Sequence, residues 1–127
     1  MKTFKSKLKI ESWDEKPYRE LSDGSKFSRA EVTLSGPLAG SFESLLFYRP
    51  DGTSTYVSLL QITGEIDGRA GSFVLQGEGT YDGTTARVQT RVVESSGELA
   101  GLSGTAESVS THADYPYMPL TLRYEIG

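Results

Sequence analysis

Cysteine is absent from the 127 residues of this chain. Its absence excludes disulfide bonds, thiolate metal sites and cysteine nucleophiles, and it suits a reducing compartment, so we expect a cytoplasmic protein. Long apolar runs are also missing. The longest apolar stretches are only a few residues, whereas a membrane-spanning helix needs roughly 20 apolar residues. No apolar run follows the basic start of the chain, so we expect no signal peptide and no membrane partner.

Positive charge is scarce and scattered. The chain has 13 Lys and Arg residues against 17 Asp and Glu residues, which gives a net charge of −4. Proteins that bind the phosphate backbone of nucleic acids present a basic patch or stripe, and no such stripe is visible in the sequence. We therefore expect no nucleic-acid partner.

Helical periodicity is missing as well. Residues 12–15 fit a helix-capping pattern, but Pro17 would then fall inside the first turns of the helix, where it costs about 3 kcal/mol. We predict that residues 12–27 are a strand end followed by an irregular loop. No other segment repeats its apolar residues at helical spacing, so the sequence predicts an all-β protein.

What the sequence does contain is a two-residue alternation of apolar and polar side chains, which indicates half-buried strands. The alternation is clearest over residues 4–11, 86–92 and 120–126. Asp-Gly pairs, typical of tight turns, interrupt the strands at 23–24, 51–52, 67–68 and 82–83. We predict a single domain over residues 1–127, an all-β closed antiparallel barrel of about eight strands, because closure removes exposed strand edges.

Three segments resemble one another. Residues 35–41, 63–68 and 96–101 each begin with a small hydroxyl residue and a glycine, and each places Leu or Ile two residues after that glycine. Their spacing is too irregular for a repeat protein. We predict one type of connector, used three times between strands of the same sheet.

Two predicted strands, residues 44–48 and 56–62, are apolar on both faces. One face can fill the barrel, and the other must contact something else. Two interpretations remain open: a covering loop within residues 14–27, or a second copy of the chain in a homo-oligomer.

The candidate catalytic residues are Glu43 and Tyr48. Glu43 shares the alternation of Leu45 and Phe47, so if that set faces the interior, desolvation raises the pKa of the Glu43 carboxyl and suits it to acid–base chemistry. Register is weakly specified on a strand that is apolar on both faces, so an exposed Glu43 remains the alternative. Tyr48 would assist Glu43 in transferring a proton to or from a substrate.

The candidate ligand-binding residues are Tyr56, Gln76, Glu78 and His112. Gln76 and Glu78 occupy alternate positions after Val74 and could line a cavity. An outer face exposed to water fits better, because Phe73 and Leu75 share the opposite alternation and would face the interior. Aromatic residues such as Tyr56 can rim a pocket but also fill cores.

His112 is the single histidine, in a polar loop where a solvated side chain is the simpler interpretation. With Asp114 it could offer two metal ligands, whereas a catalytic zinc site takes three from the protein. No Gly-x-Ser-x-Gly motif accompanies His112 as a serine hydrolase would require. We expect no metal and no cofactor.

Several segments together carry a family resemblance: residues 3–13, 43–48, 63–75 and 97–104, and the closing Tyr124. They resemble a bacterial family of unknown function numbered 3224, whose fold is similar to the allene oxide cyclase barrels. The resemblance implies eight antiparallel strands around a central cavity, in an oligomer.

Glu43, Tyr48 and His112 match residue types that the family tends to place at these positions. Two positions depart from the family pattern: Leu60 stands where the family often carries Glu, and Gly77 where it often carries a histidine or a charged residue.

The resemblance brings no function, and fold analogy alone does not supply one. We therefore expect a barrel that binds a small apolar or amphipathic molecule. The first alternative is a structural or partner-binding oligomer with a filled barrel. The second is a cofactor-free cyclase or isomerase that uses a buried carboxylate.

Overall fold

The computed structural model describes residues 1–127 and contains eight antiparallel strands and no helix. Each strand pairs with the next one in the chain, and the last pairs with the first, so the strands close into a barrel, as predicted. No helix long and apolar enough to cross a membrane is present. The strands are β1 (Lys2–Glu20), β2 (Lys26–Ser35), β3 (Leu38–Tyr48), β4 (Ser54–Ile66), β5 (Arg69–Tyr81), β6 (Thr85–Gly97), β7 (Leu102–Thr111) and β8 (Tyr117–Ile126).

The four Asp-Gly pairs lie in turns between strands, as predicted. The three similar connectors also behave alike, because they join β2 to β3, β4 to β5 and β6 to β7 at the same end of the barrel. The apolar position that the three connectors share is fully buried in each case, at Leu38, Ile66 and Leu99. These side chains join the apolar core and close that end of the barrel.

Residues 12–27 were expected to be a strand end followed by an irregular loop; the strand continues much further than this, and the irregular loop is wrong for most of the segment. β1 continues to Glu20, and only residues 21–25 connect it to β2. β1 pairs with β8 up to Lys9 and with β2 from Lys9 onward. Pro17 therefore lies where β1 has one partner strand, beside a register irregularity, and these are the places where a strand tolerates proline.

Residues 14–27 consequently form no loop over the second apolar face of β3 and β4, although the ring of Phe27 on β2 packs on Phe47, with ring centroids 5.8 Å apart. The outward side chains of Leu45, Val57 and Leu59 are 49%, 55% and 54% exposed. Of the two interpretations of this face, the covering loop is excluded.

Two inward positions of β5 are occupied by glycine. A Cβ atom at Gly77 would lie 2.0 Å from the carbonyl oxygen of Gln89, so glycine permits the close approach of β6. A Cβ atom at Gly79 would lie 2.4 Å from the ring of Tyr56. The wall of the barrel at β5 is therefore bare backbone, and the Tyr56 ring occupies part of the freed space.

We expect Gly77→Ala to lower the free energy of unfolding by about 1–3 kcal/mol, because the new methyl group overpacks against the β6 backbone. Urea denaturation measures the change. Gln76→Ala, the exposed neighbour, is the matched control and should stay within about 0.5 kcal/mol of the wild type. A Gly77→Ala protein as stable as the control would contradict the close approach.

Candidate functional site

A cavity of about 430 Å³ lies inside the barrel toward the end opposite the connectors. We call it the lumen. It reaches the β5–β6 and β7–β8 turns, and 14 of its 23 lining residues are hydrophobic. Its volume falls within the range of about 300–1,000 Å³ that small-molecule sites occupy. The barrel is thus packed at one end and hollow at the other.

The lumen exists because small inward residues lie side by side on neighbouring strands. A strand offers one inward side chain per level, and at one level the strands β2 to β7 all offer a small one. We call this set the small-residue belt. Its members, paired from strand to strand, are Ala30, Ser44, Ser58, Gly77, Thr90 and Ala106.

The hydroxyl groups of the belt are bonded within the protein. The Oγ atoms of Ser44 and Ser58 are 2.6 Å apart, and the Thr90 hydroxyl donates to the carbonyl oxygen of Ala106 at 3.0 Å. Next to the belt, Phe42 and Leu60 also line the lumen. A ligand therefore needs no polar group to satisfy the hydroxyls in this part of the lumen.

A carboxylate holds three strands together beside the lumen. Glu15 on β1 accepts hydrogen bonds from the Tyr48 hydroxyl at 2.8 Å, the Ser28 hydroxyl at 2.9 Å and the Trp13 indole N–H at 3.0 Å. Trp13 also packs edge-to-face on Phe42, with ring centroids 6.1 Å apart. Because its donors come from β1, β2 and β3, Glu15 fixes the geometry of this side of the lumen.

Two phenols face the lumen, and both are kept neutral. Burial raises the pKa of Tyr56 to about 12. Burial, with the hydrogen bond to Glu15, also raises the pKa of Tyr48 well above its usual value. Tyr48 already donates its proton to Glu15, whereas the Tyr56 hydroxyl makes no hydrogen bond within the protein. Tyr56 is therefore free to donate to a ligand.

His112 lines the lumen at its turn end. Its Nε2 atom lies 2.8 Å from the Tyr81 hydroxyl, which also bonds the carbonyl oxygen of Gly83 at 2.9 Å. A phenol has one proton, and the carbonyl can only accept, so Nε2 carries the proton donated to Tyr81. His112 thus fastens the β7–β8 turn to the end of β5.

Three predicted site residues lie outside the lumen. Glu43 points outward and pairs with Arg29, with 3.0 Å between Nη2 and Oε2, so of its two open placements the structure has the exposed one. Gln76 and Glu78 are on the outer face of β5, which is the interpretation that the neighbouring alternation favoured over a cavity lining. Glu43 and Tyr48 differ by five positions and must face opposite sides of a regular strand.

Glu15 is the residue that sequence reasoning missed. A register irregularity between Ile10 and Ser12 shifts the alternation of β1, so the inward set continues at Trp13 and Glu15 instead of residues of even number. Nothing in the local sequence marks this bulge.

The lumen lining contains no Asp, Glu, Lys or Arg side chain, and His112 is its one titratable group besides the tyrosines. Leu60 is buried in the lining. No group of three His, Asp or Glu residues is arranged to hold a metal ion. A charged ligand would lose its hydration in this lumen without gaining an opposite charge.

Comparison with known proteins agrees with this architecture. The model of the DUF3224 family, proteins of unknown function, matches residues 4–124. The chain belongs to the DUF3224 family. A crystal structure of a DUF3224 protein of unknown function from Shewanella oneidensis MR-1 is 24% identical, with a TM-score of 0.64 over 99% of each chain. That likeness supports the fold. No curated protein matches the chain.

We expect alkaline pH to destabilise the protein through Tyr56. The unfolded phenol ionises near pH 10 and the folded one near pH 12. Between these values the unfolded state binds fewer protons, so the free energy of unfolding falls as the pH rises. Urea denaturation across this range should show a smaller fall in Tyr56→Phe than in the wild type. Equal falls in the two proteins would contradict the burial of Tyr56.

Proposed function

We propose that the lumen binds a small uncharged molecule that is apolar or amphipathic. The observation that carries the proposal is a cavity of about 430 Å³ without an Asp, Glu, Lys or Arg side chain in its lining. Apolar walls with a few placed polar groups are the usual composition of small-molecule sites.

The distribution of polar groups favours one orientation of the ligand. Its apolar part would rest against Phe42, Leu60 and the small-residue belt, where the hydroxyls are already bonded. A polar group on the ligand would accept a hydrogen bond from Tyr56. The nearby Glu15 carboxylate, bonded to Tyr48, would repel an anion.

The two alternative functions have less support. A structural barrel with a filled interior conflicts with the lumen of about 430 Å³. A cyclase or isomerase was expected to use a buried carboxylate, and no carboxylate belongs to the lumen lining. An arrangement like that of allene oxide cyclase barrels, a bacterial source and a cytoplasmic location remain part of this proposal, supported by the family resemblance and by the absence of cysteine.

Two fluorescent probes test the proposal, because they share an aromatic body and differ in charge. We expect the uncharged N-phenyl-1-naphthylamine to bind with enhanced fluorescence. We expect 8-anilino-1-naphthalenesulfonate, which carries a sulfonate, to bind at least tenfold more weakly, since its ion would have to be desolvated. Fluorescence titration gives both dissociation constants.

A pair of substitutions on β7 locates the binding. Ser108→Phe places a ring in the lumen and should abolish binding of N-phenyl-1-naphthylamine, whereas Ser103→Phe on the outer face should leave binding unchanged. Thermal unfolding verifies that both variants are folded. Failure of the wild type to bind the uncharged probe, or equal binding by both variants, would overturn the proposal.

A further inference from the structure

Two hydroxyl groups on the wall of the lumen have no hydrogen-bond partner within the protein. They belong to Tyr56 on β4 and Ser108 on β7, and both side chains line the lumen. Ser108 is only 5% exposed, and no fully enclosed side-chain oxygen in the protein lacks a hydrogen bond, so the Ser108 oxygen opens onto the lumen. An enclosed hydroxyl group without a partner costs free energy, so a ligand that pairs it gains affinity.

The strand register places these two hydroxyl groups at the same level of the barrel, one level from the small-residue belt toward the open end of the lumen. Along this level Tyr56 pairs with Gly79, Gly79 with Val88, and Val88 with Ser108. A Cβ atom at Gly79 would lie 2.6 Å from the Cζ atom of Tyr56, which carries the hydroxyl. The ring therefore extends from β4 over the bare backbone of β5, and Val88 on β6 is the one side chain between the two hydroxyls.

A ligand group that lies over Val88 has a hydroxyl group on each side. Burial raises the pKa of Tyr56 to about 12, so at neutral pH its phenol keeps the proton and donates it. The Ser108 hydroxyl can donate or accept. An uncharged oxygen atom on the ligand can bond both groups, whereas a hydrocarbon leaves both unpaired and an ion meets no opposite charge in the lining.

We propose that the ligand is an apolar molecule with one uncharged oxygen group, an alcohol or a carbonyl, which lies over Val88 and is selected by Tyr56 and Ser108. This inference rests on the proposed function of the lumen, and it adds a ligand class and two residues that determine specificity. A site built to bond a ligand oxygen discriminates against the analogue that lacks it, because its own hydroxyls are then left unpaired.

Two probes of nearly equal shape test the proposal. In 2-naphthalenemethanol a hydroxyl replaces the terminal methyl group of 2-ethylnaphthalene, and displacement of N-phenyl-1-naphthylamine gives a dissociation constant for each. The ratio of the two constants measures the preference for the oxygen. We expect this preference to fall roughly threefold or more in Tyr56→Phe and in Ser108→Ala, since each substitution removes one hydrogen bond. The affinity for 2-ethylnaphthalene should stay the same or rise.

A third probe separates the two oxygen groups. The oxygen of 2-acetylnaphthalene can only accept hydrogen bonds. An equal loss of affinity for this ketone in both variants assigns a carbonyl ligand with two donors, and a loss in Tyr56→Phe alone assigns an alcohol that donates to Ser108.

Ser103→Ala is the matched control for Ser108→Ala, because Ser103 is exposed on the outer face of β7, and it should keep the wild-type preference. Thermal unfolding verifies that each variant is folded. A preference that is unchanged in both lumen variants, or that falls equally in Ser103→Ala, would overturn the selection by Tyr56 and Ser108. The proposed function would stand in that case, since the probes still bind, whereas a wild type that binds none of them would overturn both.

Discussion

The two-residue alternation of side chains around a closed ring governs the rest of this structure. Each strand can send only one side chain inward at each level, and closure fixes the number of strands that contribute. The sizes of these inward residues therefore decide whether a level is packed or hollow. Near the connectors the inward residues are large, with Ile62, Phe73 and Leu75 fully buried, whereas the small-residue belt leaves the lumen open.

The same constraint separates two kinds of surface on the same strands. The inner faces of β3 and β4 supply Ser44 and Ser58 to the lumen, while their outer faces carry the exposed apolar side chains of Leu45, Val57 and Leu59. The lumen lining and an exposed apolar face therefore share two strands without sharing a side chain. The Glu15 carboxylate adds rigidity on the lumen side, because the hydrogen bonds it accepts from Ser28 and Tyr48 link β1 to β2 and β3.

Much of the fold could be predicted from local sequence. The alternation of side chains located the strands, and the Asp-Gly pairs located four turns. The three similar connectors proved to be equivalent, because each buries one apolar side chain, Leu38, Ile66 or Leu99, at the same end of the barrel. The orientation of Glu43 could not be predicted, because strand 44–48 is apolar on both faces and either register satisfies a local rule.

The candidate site was harder to predict than the fold. Tyr48, Tyr56 and His112 do lie on the lumen, but Glu15 was hidden by a bulge that reverses the alternation of β1. The small-residue belt was hidden for another reason. Its members are spread from Ala30 to Ala106, and only the pairing of six strands places them at one level.

The most direct test is to locate a bound molecule by methyl NMR during addition of N-phenyl-1-naphthylamine. If the molecule binds in the lumen, we expect chemical-shift changes at the methyl groups of Leu60, Ala106 and Leu120, which line it. We expect no change at the methyl groups of Leu38, Ile66 and Leu99, which are buried at the packed end of the barrel. Changes confined to Leu45, Val57 and Leu59 on the outer face of β3 and β4, with no change at the lumen methyls, would contradict the account.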